Sequence, residues 1–129
     1  MLVVDASVLA PVVADAAGDG RRFRERLRGE VVVGPDLLRV EVAAVVGRHA
    51  NTGQLTPVQA DVAIGDLLDF PITVFPTAPF LRRVWELRQN LTTYDGCSVA
   101  LAEAVESPLV TADRRLANAP GLRCDVEVL

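Results

Sequence analysis

Asp5, Glu41, Asp95 and Asp113 are the side chains whose types and settings in this 129-residue sequence suit them for chemistry. Asp5 follows the apolar run Leu2-Val3-Val4 in VVDAS, and Asp113 follows Leu109-Val110-Thr111. Each therefore stands just past a stretch that reads as a buried strand. In open parallel sheets the ligand crevice lies beyond the C-terminal ends of the strands, where both acids would be placed. The alternative for each is to cap the helix that follows, since aspartate is a favoured N-cap.

Glu41 has a less ordinary setting. On a helix over Leu37 to His49 its neighbours three and four residues away are Leu37, Leu38, Ala44 and Val45, so a glutamate interrupts an apolar stripe. A carboxylate facing a core needs a cation, a hydrogen-bond network or a metal, because an unpaired buried charge costs several kcal/mol or neutralises through a raised pKa. An ion pair with Arg39 or Arg48 would also satisfy it. Asp95, in TTYDGCSVALAEA, opens another helix, where an acid complements the helix dipole. Helix starts and strand ends can share one edge of a sheet, which would bring Asp95 to Asp5 and Asp113.

Four converging acids with no lysine or histidine nearby repel one another, and a divalent cation resolves the repulsion. Hard oxygen ligands select magnesium or manganese over zinc. Such a site suits phosphodiester hydrolysis, with the metal activating water and stabilising the leaving oxygen. Arg114 and Arg115 beside Asp113 are then candidates to guide a polyanion, against the plainer reading of solvated helix arginines. Ser7 as a nucleophile lacks a base: the one histidine, His49, stands at a helix C-terminus, where it complements the dipole.

The elements that must position these acids are short strands alternating with helices. Strands are expected at Leu2-Val4, Val31-Val33, Ile72-Phe75, Leu109-Thr111 and Val126-Leu129. Helices are expected after Asp5, over Gly20-Arg28, over Leu37-His49 following a Gly34-Pro35 turn, and over Pro57-Leu68 with Thr56 as N-cap. Further helices are expected over Ala78-Gln89, over Tyr94-Val105 and briefly after Asp113. The alternation argues for an α/β fold: a parallel sheet covered on both faces and reached by right-handed crossovers. The two helices between the second and third strands form either a crossover or a protruding hairpin.

Length and composition bound the rest. Half of the residues are apolar, enough for the core of one domain spanning 1–129. No apolar run has the length of a membrane span, and no basic segment precedes the first apolar run, so a soluble, cytoplasmic protein without a signal peptide is expected. Cys97 and Cys124 lack metal-like spacing and read as incidental thiols. The formal net charge of -4 argues against non-specific coating of nucleic acid. All thirteen basic residues are arginine, which excludes P-loop phosphate binding, Schiff-base chemistry and a receiver-type phosphoacceptor site. A dinucleotide fold fails for want of glycine in Asp5-Ala6-Ser7-Val8. A haloacid-dehalogenase-like phosphatase fails on Ser7, where its second aspartate would stand, and on the missing lysine.

Taken in order, VVDASVLA, GPDLLRVEVAAVV, TTYDGCSVALAEA and SPLVTADRRLA resemble the PIN-domain ribonucleases, and more narrowly the VapC toxins of type II VapBC toxin-antitoxin pairs. The resemblance spans nearly the whole chain. It implies a three-layer α/β/α fold whose five-stranded parallel sheet has the order 3-2-1-4-5, with Asp5 and Asp113 at its switch point. It implies that Asp5, Glu41, Asp95 and Asp113 form the catalytic metal site, and that Ser7 and Thr111 are supporting hydroxyls. It further implies Mg²⁺-dependent endonucleolytic cleavage of RNA, often tRNA or rRNA, with Mn²⁺ as a substitute, arresting translation. The partners implied are a second copy in a homodimer and a cognate VapB-type antitoxin that covers the site. Two departures stand out. Gly96-Cys97-Ser98 replaces larger residues after the third acid, from which looser packing is expected. Leu116 and Asn118 stand where some members carry a further acid, which argues against a second tightly held metal. With so acidic a chain, RNA binding is expected to use a local arginine patch on the dimer. The other functional classes left open are a non-catalytic PIN-like RNA-binding or regulatory module and a metal-dependent phosphatase.

Overall fold

The computed structural model describes all residues, Met1 to Leu129. Five parallel strands form its sheet: β1 (Leu2–Val4), β2 (Val32–Pro35), β3 (Thr73–Phe75), β4 (Leu109–Thr111) and β5 (Val126–Val128), in the order β3-β2-β1-β4-β5. The chain builds outward from β1 to β2 and β3, then returns to add β4 on β1's other side. Val3 faces Leu109 and Val4 faces Val110, so the two strands that carry Asp5 and Asp113 on their C-terminal sides are direct neighbours.

Side-chain alternation along the strands divides the core into two layers. Leu2, Val4, Val32 and Val110 face α1 (Ala6–Val13), α2 (Gly20–Leu27), α3 (Leu38–Asn51) and α4 (Pro57–Asp69). Val3, Val33 and Leu109 face α6 (Thr93–Ala104), α7 (Arg114–Ala117) and Leu87, which follows α5 (Leu81–Glu86). The result is the three-layer α/β/α arrangement. β1 and β4 are buried on both faces, as central parallel strands are: β1 is wholly apolar, and β4 ends on Thr111, which is buried and hydrogen-bonded to Asp5.

α3 and α4 pack as a pair, and both rest on α1. Ala63 and Leu67 of α4 are buried in the same core as Val42 and Val46 of α3, so the hairpin is docked rather than free-standing. Thr56 caps α4 in a full capping box with Gln59, ahead of Pro57.

Several expected boundaries move. Gly34 and Pro35 end β2 instead of forming a turn, because Gly34 is where the strand meets Leu38: a Cβ there would lie 2.4 Å from the Leu38 side chain. The turn begins at Asp36, whose carboxylate accepts hydrogen bonds from the Thr77 hydroxyl and backbone amide and so ties the ends of β2 and β3 together. The helix expected over Ala78-Gln89 is a 3-10 turn at Ala78–Phe80 followed by α5, which ends at Glu86. Val31 and Ile72 fall outside the strands. The looser packing expected at Gly96-Cys97-Ser98 is not found. All three are buried, and a Cβ on Gly96 would stand 3.1 Å from Val84, so the small residue lets α6 approach α5.

The α1–α2 junction shows the same economy of space. A Cβ on Gly20 would lie 2.3 Å from the Pro11 carbonyl oxygen, which is backbone and cannot turn aside. Gly20→Ala should therefore destabilise the chain by about 1–3 kcal/mol, read as a lower urea midpoint at unchanged slope. An unaltered midpoint would show that the junction is slack.

Candidate active site

Asp5 anchors the site. It leaves β1, caps α1 and is buried. One carboxylate oxygen accepts from the Ser7 amide at 3.1 Å and the Ser7 hydroxyl at 2.5 Å, and the other accepts from the Thr111 hydroxyl at 2.5 Å. The hydroxyls are themselves held in place: Ser7 Oγ accepts from the Ala112 amide at 2.8 Å, and Thr111 Oγ1 from the Asp113 amide at 3.0 Å. Each hydroxyl has one proton and commits it to Asp5, so the 3.2 Å approach of Ser7 Oγ to Thr111 Oγ1 is proximity without a shared proton. Ser7 is thus occupied as a donor and has no base to free it. The Asp5–Thr111 bond also joins the ends of β1 and β4.

Asp113 caps α7. It accepts from the Arg115 amide at 2.9 Å and from the Arg115 guanidinium at 3.2 Å. Capping and a place among the acids therefore coincide. Asp95 lies in the first turn of α6, whose cap is Thr92: the Thr92 hydroxyl accepts from the Asp95 amide at 3.1 Å. The T-x-x-D spacing carries this cap, so α6 starts at Thr93, one residue before the expected Tyr94.

Glu41 lies in the first turn of α3 and is half-buried. The start of α3 reaches the opposite layer, because Leu37 packs against Val84, Cys97 and Ala100, so α3 and α6 begin at one edge of the sheet. Neither expected arginine pairs with Glu41. Arg39 turns to the Phe70 carbonyl, and Arg48 lines an apolar groove with Leu37, Val40 and Val45 beside Glu41 without forming an ion pair.

The electrostatics follow. Burial, then the charges of Asp95 and Asp5, push Glu41 up to about 7. Burial raises Asp5, which the Ser7 and Thr111 hydrogen bonds oppose and the Asp95 charge reinforces. Asp95 is raised by burial and by Asp113's charge, against the Thr92 cap. Only Asp113 is held low, by Arg115. The four acids thus sense one another in a chain, and one arginine, Arg115, holds Asp113 low and opposes the rise of Asp95 without cancelling it.

An all-oxygen donor set with three insufficiently compensated carboxylates fits a hard divalent cation. It is an open fit, since no three His, Cys, Asp or Glu side chains close into a ready-made cage. Magnesium commonly binds in this way, keeping waters and taking ligands from substrate phosphate. Leu116, in the region where some members of the family carry a further acid, is buried in the core.

Arg115 belongs to this edge, but Arg114 does not share it: Arg114 lines a separate groove with Arg22 and Asn118. Arg88 does, sharing a surface groove with Asp95, Asp113 and Arg115. No motif marked Arg88, and only the turn after α5 carries it to the acids.

The charge conflict has a pH signature. The folded chain keeps on Glu41 a proton that the unfolded chain releases near 4.5, so stability falls as pH rises from about 4.5 to about 7 and then levels off. Melting temperatures in chelator should show this fall relative to Glu41→Gln, which has no carboxyl to titrate. Parallel curves for the two proteins would show that Glu41 is not perturbed.

Comparison with known proteins agrees with this architecture. The PIN domain family model matches residues 2–122. Ribonuclease VapC1 of Mycobacterium tuberculosis is 34% identical over 128 residues, covering 98% of this chain and 96% of its own. Two solved structures share the fold. Mycobacterium tuberculosis VapC20, described as a sarcin-ricin loop cleaving toxin, has a TM-score of 0.70 at 15% identity, covering 91% of this chain and 93% of its own. VapBC2 of Rickettsia felis, bound to a DNA fragment from their promoter, has a TM-score of 0.70 at 13% identity, covering 99% and 98%. With this match along almost its whole length, the chain belongs to the PIN-domain family, among the VapC ribonucleases.

Proposed function

We propose that residues 1–129 act as a single PIN domain: a Mg²⁺-dependent endoribonuclease toxin, with Mn²⁺ as a substitute, that hydrolyses phosphodiester bonds of structured RNA such as tRNA or rRNA and so inhibits translation. The observation that carries this reading is Glu41, half-buried beside Asp5 and Asp95 with no arginine to balance it. A carboxylate left so is destabilising in the free chain and is relieved by a cation.

In this reading Asp5, Glu41, Asp95 and Asp113 hold the metal. When bound, Mg²⁺ offsets their charge and supplies Lewis-acid stabilisation of the scissile phosphate and activation of water. The chain's own residues do the positioning. Ser7 and Thr111 hold both oxygens of Asp5 in one orientation, and the Thr92 cap fixes the turn that presents Asp95. The Arg115 side chain is 92% exposed and exchanges Asp113 for an incoming phosphate at little cost, because an exposed ion pair contributes little.

The partners proposed are a cognate VapB-type antitoxin and a second copy of the chain, acting in the cytoplasm. The resemblance in fold to a VapBC pair supports the first, as does the apolar groove of Leu37, Val40 and Val45 opening beside Glu41, which a covering segment would fill. No helix is long and apolar enough to cross a membrane.

Purified, antitoxin-free protein should cleave a structured RNA with Mg²⁺ or Mn²⁺. Chelator or Asp5→Asn should lower the rate at least about a hundredfold. Undiminished cleavage by Asp5→Asn would sink the assignment. A protein that binds no Mn²⁺ in calorimetry would instead be a non-catalytic module, and preference for a generic phosphomonoester over an RNA hairpin would make it a phosphatase.

A further inference from the structure

Beside the acids lies a pair of side chains that their chemistry does not use. Arg88 follows α5 and shares the groove that contains Asp95, Asp113 and Arg115. Its guanidinium donates to the Trp85 carbonyl at 2.9 Å and lies 4.5 Å from the centre of the Trp85 ring, with no carboxylate partner. Trp85 is the chain's one tryptophan and is 63% exposed. A residue type that is usually well buried is here left open to solvent, with a cation steadied against it.

A cation beside an open π surface, continuous with a phosphodiesterase groove, matches what a single strand of nucleic acid presents: a phosphate and an unstacked base. Another exposed apolar stripe, Val58, Val62 and Leu68 on α4, has aspartates 61, 66 and 69 around it and offers a polyanion nothing. We propose that Arg88 and Trp85 form a nucleotide subsite flanking the cleavage point, at which Arg88 takes a backbone phosphate and Trp85 stacks the adjoining base of a single-stranded RNA segment. This subsite rests on the ribonuclease reading above. It implies that the cut bond lies in a loop or an unpaired stretch, since a paired base cannot reach the ring. It also bears on how an acidic chain engages RNA: Arg88 and Arg115 only balance Asp95 and Asp113 in the groove, and stacking supplies attraction that does not depend on net charge.

Having a single tryptophan makes the test direct. In chelator, a single-stranded oligoadenylate octamer should quench the tryptophan fluorescence saturably, whereas an abasic ribose-phosphate strand of equal length should not. Trp85→Leu should weaken octamer binding about tenfold and Trp85→Phe by less than about twofold, because phenylalanine keeps a stacking face. Arg88→Gln should weaken binding and lower the salt dependence by about one phosphate contact. With Mg²⁺ and an unstructured RNA substrate, both Trp85→Leu and Arg88→Gln should raise KM with kcat within about twofold of the parent. Binding without quenching, or an unchanged KM in both variants while the parent cleaves, overturns the subsite and leaves the ribonuclease reading intact. Absence of cleavage by the parent chain overturns both. An unchanged KM together with dissociation of a dimer by Trp85→Leu in sedimentation assigns the tryptophan to self-association instead.

Discussion

Everything at the site depends on the hydrogen-bonded clamp that holds the Asp5 carboxylate at the junction of β1 and β4. Three donors converge on it, two of them hydroxyls that in turn accept from the amides of Ala112 and Asp113. The clamp spans more than a hundred residues of sequence, joins two strands and orients a charge that burial disfavours. Removing either hydroxyl would loosen the carboxylate and the strand junction together, because the same atoms serve both.

The clamp is held by the apolar sheet beneath it. Val3 and Val4 face opposite layers and both are fully buried, so β1 cannot slip by one residue without reversing which side chains meet which helices. That fixed register sets where the strand stops and therefore where Asp5 stands. The strain on the site is electrostatic. Asp5, Glu41 and Asp95 gain from burial only a higher pKa, and from one another only repulsion. The fold bears that unfavourable arrangement because two continuous apolar layers hold the edge of the sheet in place, which is the usual relation between a rigid scaffold and a strained functional site.

Arginines are distributed with the same logic. Arg83 is held between Glu103 and Glu86, and Arg26 between Glu30 and Glu127, so these structural cations are neutralised far from the acids. Arg115 is lightly engaged by Asp113, and Arg88 by an indole and a carbonyl. Two arginines open to an anion therefore stand beside the carboxylates, although the chain as a whole is acidic.

Much of this was legible in the order of residues. Apolar or β-branched triplets at Leu2-Val4 and Leu109-Thr111 mark buried parallel strands, T-P at 56–57 marks a helix start, and a glutamate on the apolar face after Asp36 marks an expensive carboxylate. These signals are local, because periodicity and capping act within one or two turns of chain. The ends of β2 and of the helix after Ala78 were not legible: Gly34 is extended because Leu38 needs its missing side chain, and helical geometry gives way beyond Glu86. Nor could sequence show that Arg39 and Arg48 decline Glu41, that Arg115 rather than Arg114 faces the acids, or that Arg88, with Trp85 against its guanidinium, joins their edge. Those choices depend on which groups meet after the strands are paired in the order 3-2-1-4-5. Sequence by itself determined which residues carry charge into an apolar setting; only the tertiary structure decided which of those charges find a partner, because pairing across a sheet is a matter of distance in space and not along the chain.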